Sequence, residues 1–174
     1  ISVKEILQTS SNIGVTKIAE KLSKKYLWQT YSNFGIGNLT GANLPGESKG
    51  VMRDHGSWKK RDHFSASYGY SVSTTVAQLA RAYTPFANKG EIKNLRLFKN
   101  DPIKIGQRVL SIKTSEAVLK IMESVTEEGG TAIQASIPGY RVAGKTGTAR
   151  QFVKGVGYGK PGEMKYNASF VGLA

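Results

Sequence analysis

The stretch Tyr140 to Gln151, Tyr-Arg-Val-Ala-Gly-Lys-Thr-Gly-Thr-Ala-Arg-Gln, constrains this chain more than any other. Gly139, Gly144, Lys145 and Thr146 spell G-x-x-x-x-G-K-T, the formal pattern of a phosphate-cradling loop. Such a loop needs a buried strand before its first glycine and a helix opening at the Lys-Thr, so that N–H groups converge on phosphate. Here Ile137-Pro138 precedes Gly139 with no apolar run, and Gly147-Thr148 would make a poor first helical turn. No later apolar run ends in an Asp that could hold magnesium. Tyr140, Val142, Gly144, Thr146 and Thr148 alternate with Arg141, Ala143, Lys145 and Gly147, which is the period of a strand. The strand reading is preferred, and P-loop nucleotide binding is kept as a remote alternative.

The 174 residues suit one domain, and 39% apolar with 21% charged residues is a globular mixture. No cysteine is present, which excludes disulfides and thiolate metal sites. His55 and His63 lie in a polar stretch and read as solvated surface residues; no metal or cofactor is expected. The charge of +13 suits contact with polyanions such as nucleic acid, anionic lipid or an anionic wall. The basic residues are scattered (Lys24-Lys25, Lys59-Lys60-Arg61, Lys93 to Lys104) and no nucleic-acid motif accompanies them, so they read as solvated faces. There is no signal peptide and no apolar run of spanning length. The chain begins at Ile1 and finishes on Val-Gly-Leu-Ala within an apolar pattern, so both ends are expected to be cut.

Ser2-Val-Lys-Glu5 is a capping box that predicts a helix at the start. Thr9-Ser10-Ser11-Asn12 predicts a break, and Ile13, Val15, Ile18, Ala19 and Leu22 a second helix up to Lys25. A short helix with Leu27, Tyr31 and Phe34 should stop at Gly35. Residues 35–56 should be irregular, with a hairpin about Leu44-Pro45-Gly46-Glu47. Trp58 to Ser73 reads as a loop holding Phe64, Tyr68 and Tyr70. Thr75-Val-Ala-Gln78 is a second capping box, opening a helix with Val76, Leu79, Ala80 and Tyr83 on one side and ending near Gly90. Ile92 to Phe98 should be extended. Ile112 to Thr126 should be a helix stopped by Gly129-Gly130, and Asn167 to Ala174 a strand. Helices come first and strands last, an α+β order.

Ser10-Ser11-Asn12 and Lys145-Thr146-Gly147-Thr148 are the groups that could carry chemistry, though Ser-x-Asn alone reads first as a helix cap. Taken together, the chain resembles the transpeptidase domain of class B penicillin-binding proteins, most closely the cell-division type that makes septal peptidoglycan. The resemblance is carried by Leu7-Gln8-Thr9-Ser10-Ser11-Asn12-Ile13-Gly14-Val15, Tyr31-Ser32-Asn33-Phe34-Gly35-Ile36-Gly37 and Leu44-Pro45-Gly46-Glu47. It continues through Ser67-Tyr68-Gly69-Tyr70, Gln78-Leu79-Ala80-Arg81-Ala82-Tyr83, Met122-Glu123-Ser124-Val125 and Gly144 to Ala149.

The resemblance implies the penicillin-binding-protein and serine β-lactamase-like fold, an antiparallel sheet with a helical subdomain, incomplete at both ends. The mostly helical subdomain would span 1–135, with two sheet strands near 140–150 and 166–174. Ser10 would help pass a proton to the leaving amine, and Asn12 would bind the substrate's acyl side-chain carbonyl. Lys145 would place positive charge near Ser10. Thr146 and Thr148 would offer hydroxyls to the terminal carboxylate of a D-Ala-D-Ala donor. Gly147 keeps the strand edge bare, and the Thr148 N–H would be half of an oxyanion hole. Tyr68 and Tyr70 resemble an aromatic wall beside the family's site, with plain packing as the equal alternative.

The family's nucleophile lies in a Ser-x-x-Lys before Ser-x-Asn. The one Ser-x-x-Lys here, Ser57-Trp58-Lys59-Lys60, comes after it, in a charged run with no apolar face to lower a lysine pKa, and is read as a decoy. The nucleophile is therefore expected outside these residues and the chain alone is expected to be inactive. A non-catalytic penicillin-fold module binding peptidoglycan or a partner is the alternative. By resemblance the parent would be a membrane-anchored, outward-facing enzyme. It would work on stem peptides and bind β-lactams, beside a SEDS-type glycosyltransferase and division proteins, with no nucleic acid and no cofactor.

Overall fold

The structure, a computed structural model, describes residues 1–103, 105–153, 155, 157–158 and 164–174. The chain divides into two compact units, where composition alone suggests one domain. One holds residues 11–120 together with Ile1. The other joins Ser2–Ser10 to residues 121–174, so the first helix belongs with the last strands.

The unit of residues 11–120 is helical. Helix α2 (Asn12–Ala19) is capped by the Ser11 hydroxyl, which accepts from the Gly14 N–H at 3.1 Å. The helix expected up to Lys25 stops earlier, because Ser23 caps a new helix, α3 (Lys24–Asn33), by accepting from the Tyr26 N–H. A short strand β1 (Val51–Met52) pairs antiparallel with β2 (Val72–Ser73). At Leu44–Glu47 a single turn forms, closed by Glu47 N donating to Leu44 O, rather than a hairpin between strands.

The largest departure from expectation is α4 (Lys60–Ser67), where a loop is predicted. Asp62, in the first turn, accepts from the Lys59 N–H at 2.9 Å and so starts the helix that the charged run conceals. Turning this segment into a helix puts His63 inside: it is 6% exposed, against the expectation of a solvated surface residue. Its ring stacks on Trp58, and burial, then the Lys24 charge, pushes its imidazole down in pKa. The Tyr31 phenol is also buried, donates to Ala66 O, and is pushed up to about 12 by that burial.

Helix α5 (Val76–Ala87) has the expected capping box at Thr75 and Gln78. Its inward face is Gln78, Ala82 and Pro85, whereas Val76 is 87% exposed. Gln78 does more than cap. Its Oε1 accepts from Thr75 N, while Nε2 donates to Asn38 O at 2.7 Å and Lys49 O at 2.9 Å. One buried amide thereby fastens the irregular 38–50 segment to a helix start, satisfying carbonyls that burial would otherwise strand. Of the run expected to be extended, only Ile92 is paired: β3 (Glu91–Ile92) lies against β4 (Gln107–Arg108). Helix α6 (Ile112–Glu123) follows, and Ser115 on it donates to Pro85 O.

In the second unit, α1 (Val3–Gln8) carries the complete capping box of Ser2 and Glu5. Strands β5 (Ala143–Arg150) and β6 (Tyr166–Leu173) form an antiparallel pair in the register Lys145 to Val171, Thr146 to Phe170, Gly147 to Ser169 and Thr148 to Ala168. Met122, Val125, Ala132, Val142 and Ala143 are buried here. Lys145-Thr146 thus sits within a strand and starts no helix, which removes the P-loop reading. Among the described residues no helix is long and apolar enough to cross a membrane, and no three His, Cys, Asp or Glu side chains gather as a metal site.

Candidate active site

The site is built from the junction after α1 and from the first half of β5. Helix α1 ends because Thr9 turns back on it, its hydroxyl donating to Glu5 O at 2.7 Å. The next residue, Ser10, has φ of 55°, a left-handed conformation that a non-glycine residue adopts only when its surroundings hold it. That conformation breaks the helical path between α1 and the Ser11 cap of α2.

Lys145 Nζ donates to Ser10 Oγ at 2.7 Å, across 135 positions of sequence, and to Thr146 O at 3.0 Å. The lysine is half-buried, and desolvation pushes its pKa down from the ordinary lysine value. Because Ser10 Oγ accepts from the ammonium, its own O–H proton is available to donate onward. A lysine with weakened hold on its proton, bonded to a hydroxyl, is a group able to carry a proton in either direction.

Further along β5, the Thr146 hydroxyl is 2.7 Å from the Thr131 hydroxyl. Gly147 backs onto β6: a Cβ there would lie 2.7 Å from Ser169 Oγ, so the bare position also lets the two strands close. Thr148 is exposed beyond it. Phe170 lies over Gly144, where an added Cβ would meet the ring at 2.4 Å. An open cavity of about 440 Å³ in this unit, lined by Glu123, Thr126, Tyr140 and Arg141 among others, includes none of these motif residues.

The structure therefore brings Ser10, Lys145 and Thr146 together in one unit, with Gly147 and Thr148 continuing the same strand. Asn12 opens α2 in the helical unit with its side chain exposed. Tyr68 and Tyr70, in that same unit, stand edge to face at 5.8 Å between ring centroids. Ser57 does not have the surroundings of a nucleophile. Its hydroxyl donates to Asp54 O at 2.7 Å, and the Lys60 ammonium lies over the Phe64 ring. Two residues beside the motif are invisible to periodicity, Thr131 against Thr146 and Gln8, whose Nε2 donates to Glu128 O. Thr131 follows the Gly-Gly pair that signals a helix stop, and no local pattern marks it as a partner of β5.

The family model of the penicillin binding protein transpeptidase domain matches residues 1–174. The chain belongs to that family. It is 34% identical over 174 residues to the probable peptidoglycan D,D-transpeptidase PenA of Neisseria flavescens, covering the whole chain and 42% of that relative. It is 38% identical over 151 residues to the peptidoglycan D,D-transpeptidase FtsI of Escherichia coli K12, covering 87% of the chain and 26% of the relative. The transpeptidase domain of penicillin-binding protein 3 from Burkholderia pseudomallei superposes with a TM-score of 0.90 at 39% identity, over 100% of this chain and 52% of that one. Penicillin-binding protein 3 of Mycobacterium tuberculosis, complexed with ampicillin, gives 0.90 at 28% identity, over 99% and 41%. The α+β fold is thus that of the penicillin-binding-protein transpeptidases. This transpeptidase-family chain spans well under two thirds of each of these relatives.

Proposed function

We propose that the protein is a peptidoglycan D,D-transpeptidase and that this chain supplies its Ser-x-Asn and Lys-Thr-Gly elements. The observation that carries the reading is the 2.7 Å bond from the half-buried Lys145 ammonium to Ser10 Oγ. The similarity to FtsI, a peptidoglycan D,D-transpeptidase, and to PenA, named a probable one, supports the same reading.

In the reaction, a serine hydroxyl attacks the carbonyl between the two terminal D-alanines of a stem peptide. The C–N bond breaks, the terminal D-Ala leaves as an amine, and an acyl-serine remains. An amine from a neighbouring stem peptide then attacks that ester, forms the cross-link and releases the serine. Ser10 passes the proton that the leaving amine takes, and Lys145 replenishes and orients it. Thr146 and Thr148 hold the donor's terminal carboxylate by hydroxyl donation, and the Thr148 N–H faces the developing oxyanion. By resemblance, Asn12 is assigned the substrate's acyl side-chain carbonyl, and Tyr68 with Tyr70 the family's aromatic wall. The Ser57 hydroxyl is committed to Asp54 O and Lys60 lies over the Phe64 ring, so we assign the attacking serine to the portion of the relatives that this chain does not span. The division-septum role, the membrane anchor, the extracytoplasmic location, β-lactam binding and a glycosyltransferase partner follow from the same reading.

The test is turnover by the full-length protein of a pentapeptide donor ending in D-Ala-D-Ala with an amine acceptor. Release of D-Ala together with cross-linked product is expected. A folded protein that binds peptidoglycan yet releases no D-Ala would contradict the enzyme and favour a non-catalytic module.

A further inference from the structure

We propose that Gln8 and Thr131 are positioning residues, the two ends of a hydrogen-bonded strut that aims the Thr146 hydroxyl at the donor's carboxylate. This rests on the transpeptidase reading above. It concerns residues outside the Ser-x-Asn and Lys-Thr-Gly motifs.

The strut is continuous. Gln8, on the last turn of α1 and two residues before Ser10, donates from Nε2 to Glu128 O at 3.1 Å. The turn it holds is tight. Gly130 N donates to Glu127 O at 2.9 Å, and a Cβ on Gly130 would lie 2.2 Å from Val125 O, so only glycine lets the chain pass there. Ala132 N then donates to Val125 O at 2.9 Å. Thr131 is fixed between these two anchors, and its hydroxyl meets Thr146 Oγ1 at 2.7 Å. Since Lys145 bonds Ser10, the contacts close a ring: Ser10 to Lys145, along β5 to Thr146, across to Thr131, back through the turn to Gln8, and along the chain to Ser10.

Hydroxyl chemistry gives the ring a direction. A threonine hydroxyl has one proton to give. A carboxylate only accepts, so Thr146 can hold it only by spending that proton on it. The proton in the Thr131–Thr146 contact must then come from Thr131. Donation into Thr146 Oγ1 fixes the rotor and polarises its O–H, which strengthens the bond to the carboxylate. Without Thr131 the Thr146 hydroxyl is free to rotate, and the loss falls on substrates that carry the carboxylate.

The experiment compares acylation of the full-length protein by benzylpenicillin and by its methyl ester, which lacks the charged carboxylate. Thr131→Val is nearly isosteric at an exposed position, so it carries the test even where Gln8→Leu fails to fold. It should lower the ratio of the two acylation rates on the order of fivefold to tenfold, the effect of one hydrogen bond. Thr131→Ser should restore the ratio, and Gln8→Leu should shift it in the same direction by less. Equal slowing of both probes, or no change in the ratio with Thr131→Val, overturns the strut while leaving the enzyme reading intact. A wild type that neither probe acylates overturns both.

Discussion

Residues 11–120 bury Gln78 and Ser115 and use them to hold backbone, whereas Ser2–Ser10 with 121–174 present Ser10, Lys145, Thr131 and Thr146 nearer to solvent, bonded to one another. The chemical groups are similar, amides and hydroxyls in both places. Depth and partner make the difference. A buried amide answering two carbonyls has no capacity left for a ligand, and its removal strands those carbonyls. An exposed hydroxyl bonded to a desolvated lysine still has a proton to give. Gln78 and Ser115 are thereby committed to backbone, whereas Ser10 beside Lys145 keeps a proton to donate.

The sharpest way to break this contrast is to remove one group from each side. Lys145→Ala in the full-length protein should slow benzylpenicillin acylation on the order of a thousandfold, the scale of lost proton transfer, with little change in the thermal midpoint. If the main effect were a lower midpoint, Lys145 would belong with the structural groups. Gln78→Leu should do the opposite. It strands Asn38 O and Lys49 O and loses the Thr75 cap, costing about 3 kcal/mol in denaturant unfolding.

His63 gives a smaller, pH-dependent effect in the helical unit. Its folded pKa lies below the ordinary 6.5, so below that pH the unfolded chain binds the extra proton first. Its contribution is complete above about pH 6.5. It is lost as pH falls below that value, and the loss levels off once the folded form is protonated too. The decline should flatten in His63→Phe, followed by urea midpoints between pH 7 and 5. At the small end, Arg141 is 82% exposed in its 2.6 Å bridge to Glu123, so Glu123→Gln should change stability by less than about 1 kcal/mol.

What the sequence reveals follows the range of the interaction. The capping boxes at Ser2–Glu5 and Thr75–Gln78 are local, and both form as read. The alternation through Lys145-Thr146-Gly147-Thr148 is local too, and the strand is there. The start of α4 was hidden because Asp62 caps it from inside a charged run, and with it went the burial of His63. The inward side of α5 was misjudged because a glutamine, not Val76, is its buried anchor. The bond from Lys145 to Ser10 spans 135 positions, and no periodicity reaches that far. Only the paired motifs of a resembled family point to it. Thr131 has no such pointer, and Gln8, though it stands in the stretch that carries the resemblance, shows its contact with Glu128 O only in the geometry.

The most direct test of the central claim is the intact mass of the full-length protein after benzylpenicillin, with the adduct mapped to its residue, in wild type and in Lys145→Ala. One stoichiometric adduct is expected on a serine outside these 174 residues, forming far more slowly in the variant. An adduct on Ser57 or Ser10, or one that forms as fast without Lys145, would contradict it.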